Sequence, residues 1–259
     1  MKNIFTYKLI PLLILFTLLV LPFTVGQAGD QKLNSVIIDA GHGGKDPGTT
    51  GLSGIYEKMV VLSIVQKISK YLTAEYSDLK VTLTRDKDEF IELKNRGKIA
   101  NSSEGDLFVS IHCNARKTDE NDKYGFEIYV MDIARNNEAL SITSQENKLL
   151  EGLVKSKDEG LLIYLMANVL QNSYMKMSER FSLILQSEMV KGTKLESRGV
   201  FQAGFYVLLG ASMPTVLVEC GYLSNKKDEE YLKSDKGQDD IAKSVYKAIR
   251  LFKFDFENK

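Results

Sequence analysis

The sequence predicts an α/β fold of three layers, α/β/α, built on a mainly parallel central sheet. Three observations carry this. Short runs of β-type residues alternate along the chain with amphipathic stretches of helical period. The first run, Val36-Ile37-Ile38, is apolar at every position, so it needs cover on both faces and belongs inside a sheet. Several runs end in glycine-rich or polar turns, the edge at which open α/β sheets place their ligands.

The chain opens with Lys2 and Lys8 ahead of an apolar run, Leu9–Val25, followed by Gly26-Gln27-Ala28. This is the pattern of a secretory signal peptide, residues 1–28, cut after Ala28. Pro11 and Pro22 interrupt the run, which falls short of the roughly 20 residues of a spanning helix. Membrane contact is expected through this leader only. Residues 29–259 are then long enough for one domain. Basic and acidic residues balance at 34 each, which argues against a nucleic-acid partner. Cys113 and Cys220 each follow a polar residue within a strand-like run and read as buried core residues.

After the first strand, Gly41-His42-Gly43-Gly44 makes a turn too rich in glycine for a helix, with His42 at its apex. Asp46-Pro47-Gly48 is a second turn signal. A helix starts at Glu57, where a carboxylate suits the helix dipole, and shows Val60, Val61, Ile64, Val65, Ile68 and Leu72 on one face. Lys80–Arg85 reads as a strand and Ile91–Asn101 as a short helix. In Leu107–Ala115, alternation sets Phe108, Ser110 and His112 against Val109, Ile111 and Cys113, with Asn114 sharing the parity of His112. Gly125–Val130 is a fourth strand and carries Glu127.

Between Met131 and Arg198 the strand signals stop. Helices are expected at Ser144–Val154 and Leu161–Met189, around a charged loop at Lys155–Gly160. The longer one packs on the sheet as a crossover. The first has no evident structural duty and is expected as a cap within a helical insertion at about 131–160. A short strand at Gly204–Leu209, a turn at Met213-Pro214, a buried strand at Thr215–Gly221 containing Glu219, and a helix with Ile241, Val245, Ile249 and Phe252 on one face complete the pattern.

His42, Glu57, His112 and Glu219 therefore fall at strand ends and one helix start, and the chain has two histidines in all. Two neutral imidazoles and a carboxylate form the ligand set of a catalytic zinc site with an open fourth position. One Zn2+ held by His42, Glu57 and His112 is expected at the strand C-terminal ends. Glu219 lies on an apolar strand with no helix to cap, and a buried carboxylate is costly unless paired or useful. It is read as the catalytic acid–base residue. Ser110 shares a face with His112, but the chain has no G-x-S-x-G elbow, and the glycine turn matches neither phosphate-binding pattern.

The chain resembles the zinc-dependent N-acetylmuramoyl-L-alanine amidases of the type 3 amidase family. The residues that carry this are IIDAGHGGKDPGTTG with Glu57-Lys58, LTRDKDEFIELKNRGKIAN, LFVSIHCNA, GFEIYV and MPTVLVECGYLSN, in the family's order and over nearly all of residues 29–259. The resemblance implies cleavage of the amide between N-acetylmuramic acid and the L-alanine of the peptidoglycan stem peptide. It implies the same zinc ligands and Glu219 as catalytic glutamate. Family members that separate daughter cells are similar in having a helical segment after the fourth strand, in which a glutamate occupies the zinc until an activator protein withdraws it. Glu146, in Ser144-Gln145-Glu146-Asn147, stands where that inhibitory ligand is expected. The expected location is outside the cytoplasm, in the periplasm or cell envelope, with wall placement either supplied by a partner or absent. Around the site, Asp39 either orients His42 or anchors the loop, and Asn114 holds the substrate carbonyl or the metal water. Glu127 either supports the site or lies on the strand surface. Arg85 and Arg96 either meet stem-peptide carboxylates or form internal salt bridges. The competing readings are a zinc peptidase acting elsewhere on the stem peptide and a non-catalytic wall-binding protein.

Overall fold

A computed structural model describes residues 32–115, 123–131 and 157–258, with side chains in the last segment from residue 174 onward. The leader, the expected helix Ser144–Val154 with Glu146, and most of the insertion at about 131–160 lie outside the described residues. The elements in chain order are β1 (Ser35–Ala40), α1 (Glu57–Glu75), β2 (Lys80–Leu83), α2 (Leu93–Ser102), β3 (Leu107–Asn114), β4 (Phe126–Met131), α3 (Lys157–Gly192), β5 (Ser197–Ala203), β6 (Thr215–Tyr222), α4 (Lys226–Leu232) and α5 (Asp235–Glu257).

The strands form one sheet in the order β2-β1-β3-β6-β4-β5. Pairings are parallel except that of β4 with β6, so β4 and β5 run against the other four strands. The N-terminal ends of β4 and β5 thus share a sheet edge with the C-terminal ends of β1, β3 and β6. Every residue of β1, β3 and β6 is buried, as central strands covered on both sides require.

The two faces differ in cover. On one, Val36, Ile38, Val109, Ile111, Val218 and Ile128 pack under α1, α3 and α5. On the other, Ile37, Phe108, Leu217 and Tyr129 pack beneath the short α2 and the segment Phe205–Met213. Period-2 alternation then assigns Asp39, Ser110, His112, Glu219 and Glu127 to this second face. No helix among the described residues is long and apolar enough to cross a membrane.

Two boundaries differ from the sequence expectation. Gly204–Leu209 is not a strand: β5 precedes it at Ser197–Ala203, and Tyr206–Leu208 is a single 3-10 turn. Ser197-Arg198-Gly199 is a weak strand signal, while the apolar Tyr206-Val207-Leu208-Leu209 owes its burial to capping the sheet rather than pairing within it. Lys157–Gly160 is the first turn of α3 rather than loop, since acidic residues such as Asp158 and Glu159 suit a helix start as well as a linker.

Candidate metal centre

His42 sits just past β1 with φ of 57°, a left-handed conformation that an L-residue adopts only where its surroundings impose it. Its ring Nδ1 lies 2.8 Å from Asp46 Oδ2, which fixes the imidazole and turns Nε2 inward. Asp46 in turn accepts the Gly48 backbone N–H. Burial pushes the Asp46 carboxyl up, but the His42 hydrogen bond, the His42 charge and the Gly48 N–H together outweigh it and the group settles below its usual value.

Glu57 is the first residue of α1 and is fully buried. A first-turn glutamate that served only the helix dipole would face water. Here Oε2 accepts the Thr49 N–H at 2.8 Å and Oε1 accepts the Cys113 N–H at 2.9 Å, tying the helix start to the turn and to β3. Oε1 also lies 3.1 Å from His42 Nε2 and 3.2 Å from His112 Nδ1. Burial opposes its charge, yet the two facing imidazoles hold its carboxyl well below the usual range.

His112 completes the cluster from the end of β3, its ring edge-on to that of His42 with centroids 5.0 Å apart. One ligand atom from each of His42, Glu57 and His112 lies within 4.8 Å of the others. Two imidazole nitrogens and a carboxylate oxygen at that spacing fit one divalent ion. The backbone is shaped to allow this closeness: a Cβ on Gly41 would stand 2.4 Å from the His112 ring, and one on Gly48 would stand 2.6 Å from both Glu57 Oε2 and His42.

Behind the loop, two buried arginines hold three successive carbonyls. Arg85 donates to the carbonyls of Ala40 and Gly41, and Arg96 to those of Ala40 and His42. Arg85 also reaches the carbonyls of Lys58 and Lys87. Both are buried and clamp the loop from behind; of their two readings the contacts favour the internal one, with Arg96 in an ion pair with Asp39. Asp39 anchors one clamp: it accepts Arg96 Nη1 at 2.8 Å and the hydroxyls of Thr84 and Ser110, each at 2.6 Å. Of its two readings, loop anchor is the one the contacts favour. Ser110 is thereby committed to Asp39.

Glu219 is buried on β6, in register with His112 on one side and Glu127 on the other. Glu127 is no surface residue. Its carboxylate accepts from Tyr222 and Tyr129 hydroxyls at 2.7 Å each, from Asn114 Nδ2 at 3.1 Å and from Arg198 Nε at 2.7 Å. Asn114 is thus turned toward Glu127. Burial drives the Tyr129 hydroxyl pKa far up, so it stays a donor. Cys113 and Cys220 are free, buried thiols raised well above the usual thiol range by burial. Sequence reasoning missed Asp46 and Arg198. The first lies in a turn whose Asp-Pro-Gly already had a local explanation, and its spacing of four residues from His42 was the available signal.

With this geometry in hand, comparison with known proteins is direct. Residues 36–250 match the family model described as N-acetylmuramoyl-L-alanine amidase. The chain is 32% identical over 231 residues to N-acetylmuramoyl-L-alanine amidase AmiC of Escherichia coli O6:H1, an alignment that takes in 88% of this chain and 54% of that one. It therefore spans about half the length of that relative. The catalytic domain of CwlV, an N-acetylmuramoyl-L-alanine amidase from Bacillus (Paenibacillus) polymyxa, superposes with a TM-score of 0.64 at 30% identity, over 85% of this chain and 97% of that one. The CwlD amidase from Clostridioides difficile, whose structure is in complex with the GerS lipoprotein, gives 0.62 at 26% identity, over 86% and 98%.

Proposed function

This chain belongs to the N-acetylmuramoyl-L-alanine amidase family, and from that premise we propose that it is a zinc-dependent peptidoglycan hydrolase cutting the amide between N-acetylmuramic acid and the stem peptide's L-alanine. The observation that carries the reading is one row of side chains: His42, Glu57 and His112 converge at one point, and Glu219 stands beside His112 on the neighbouring strand. His42, Glu57 and His112 would hold a zinc ion, which would supply a Lewis acid for amide hydrolysis near neutral pH.

The protein's own groups do the rest. The Glu219 carboxylate takes the proton of the attacking water and returns it to the leaving amine nitrogen, a cycle that leaves Glu219 unchanged. Asp46 holds His42 through Nδ1, so its Nε2 lone pair is directed at the cluster. Arg85 and Arg96 keep the loop from relaxing out of its left-handed turn.

The leader supports export to the periplasm or cell envelope. On the cell-separation pattern that the sequence resembles, Glu146 would serve as an inhibitory fourth ligand until an activator protein withdrew it; a tethered carboxylate competes at high effective concentration. That the similar CwlD amidase is found with a lipoprotein supports a protein partner for this chain as well.

The test is to incubate the zinc-loaded protein, residues 29–259, with purified sacculi and identify products by mass. Stem peptides with a free L-alanine amine, absent with chelator or in Glu219→Gln, are the expected result. Peptides cut at any other bond would replace the amidase reading with a peptidase. A higher basal rate in Glu146→Ala is expected if the inhibitory contact exists, and an unchanged rate removes it.

A further inference from the structure

Between the candidate donors His42 and Glu57 the chain makes a small hairpin. Thr50 bridges Tyr56, the Gly51 N–H donates to the Ile55 carbonyl at 2.8 Å, and the Gly54 N–H donates to the Gly51 carbonyl at 3.0 Å. At its base Thr49 and Glu57 are bonded reciprocally. The Glu57 N–H donates to the Thr49 carbonyl at 2.9 Å, and Glu57 Oε2 accepts the Thr49 N–H at 2.8 Å. The pose of the Glu57 carboxylate therefore depends on where the hairpin sits. An isolated two-stranded hairpin is marginal in water, and Leu52 at the tip is 60% exposed, so apolar burial does not fix the tip.

Glu229 fixes it. This residue lies in the first turn of α4, where a carboxylate that served only the helix dipole would face water. It is instead 3% exposed, and its Oε1 accepts the Ser53 N–H at 2.7 Å and the Ser53 hydroxyl at 2.9 Å. Gly51 permits the approach, since a Cβ there would stand 2.5 Å from the same oxygen. The preceding residue, Asp228, reaches to the sheet: its Oδ2 accepts the Gly125 N–H at 2.7 Å and the Tyr222 N–H at 3.0 Å. One carboxylate thus ties α4 to β4 and β6, and the next holds the hairpin.

We propose that Glu229 is a positioning residue for the metal centre: by holding Ser53 it sets the hairpin and, through Thr49, the carboxylate of Glu57. The inference rests on the metal part of the proposed function and extends it to α4, which supplies none of the three donors. A buried carboxylate is costly without its donors, so the Ser53 bonds resist opening. Strand β6, which carries Glu219, leads into α4. The same link therefore ties the segment bearing the proposed acid–base residue to the loop that bears Glu57.

The test measures zinc affinity by chelator competition, and the visible spectrum of the cobalt-substituted protein, in wild type, Glu229→Ala, Glu229→Gln and Ser53→Ala. Glu229→Ala is expected to weaken zinc binding about tenfold, the lower end of what losing a supporting partner costs. It is also expected to shift the cobalt bands, which report ligand geometry. Glu229→Gln keeps a carbonyl oxygen for the Ser53 N–H and is expected to recover part of the loss. Ser53→Ala removes only the hydroxyl bond, at an exposed position, and is expected to lose about two- to threefold. It carries the comparison if Glu229→Ala melts early. A lower melting temperature with affinity and spectrum unchanged in every variant would overturn the assignment and leave Glu229 a purely structural residue. A wild type that binds no zinc would overturn the metal reading and this one with it.

Discussion

Asp46 Oδ2 lies 2.8 Å from His42 Nδ1, four residues apart within a single turn, so the carboxylate sets the tautomer of a candidate metal ligand. Asp46→Ala leaves Nε2 in the cluster but frees the ring to rotate. Zinc affinity is expected to fall about 10–100-fold, the usual effect of removing such a partner. A competition titration against a chromophoric chelator reads this directly. Unchanged affinity would show that the turn backbone alone orients the ring.

Asp39 and Arg96 make a buried pair 2.8 Å apart. Asp39→Asn leaves the guanidinium without its counter-charge and is expected to cost about 3–5 kcal/mol at neutral pH. The pH dependence has a definite sign. Burial opposes the Asp39 charge, but Arg96, Ser110 and Thr84 outweigh it and hold the folded value below the ordinary 3.8. The stabilisation is therefore complete above the unfolded value and disappears as pH falls through the folded one. Urea titrations should give a wild-type advantage that is constant from pH 7 to 5 and shrinks below about pH 4. An advantage that grew on acidification would contradict the pair.

Gly48 has φ of +65° and no room for a methyl group against Glu57 and His42. Gly48→Ala combines a left-handed penalty of about 1–2 kcal/mol with displacement of a metal donor. The expected outcome is a fold that melts a few degrees lower and no longer retains zinc through dialysis. Retention of a full equivalent would mean the turn can open without moving Glu57.

The thiols of Cys113 and Cys220 are raised by burial and sit in the larger apolar core, on the helix-covered face of the sheet. Native protein should resist Ellman's reagent and release both thiols in denaturant. Rapid labelling of folded protein would contradict that packing.

How much of this could be read from residues alone varies with the kind of signal. His42, His112 and Glu219 are polar residues at the ends of apolar strands, and periodicity exposes such exceptions. Asp39 was legible as polar, but whether it touched His42 or the loop was not, since that depends on Arg96, which reaches it from 57 residues away. The same holds for Glu127, whose four donors come from β3, β4, β5 and β6. Strand β5 was misplaced because Ser197-Arg198-Gly199 pairs through a bulge, and a bulge breaks the alternation on which strand reading relies.

Strand β6 is the last to be synthesised, yet it lies between β3 and β4 in the sheet. The two halves flanking it cannot close until residues 215–222 have been threaded into the gap, the kind of non-local pairing that delays folding. All three candidate metal donors precede it in the chain, while Glu219 arrives with it. A nascent or truncated polypeptide ending before residue 215 thus carries the three candidate donors without Glu219, the proposed proton carrier. Under the proposed mechanism, order of synthesis becomes a safeguard: the candidate donors and Glu219 come together only in the step that seals the centre of the sheet.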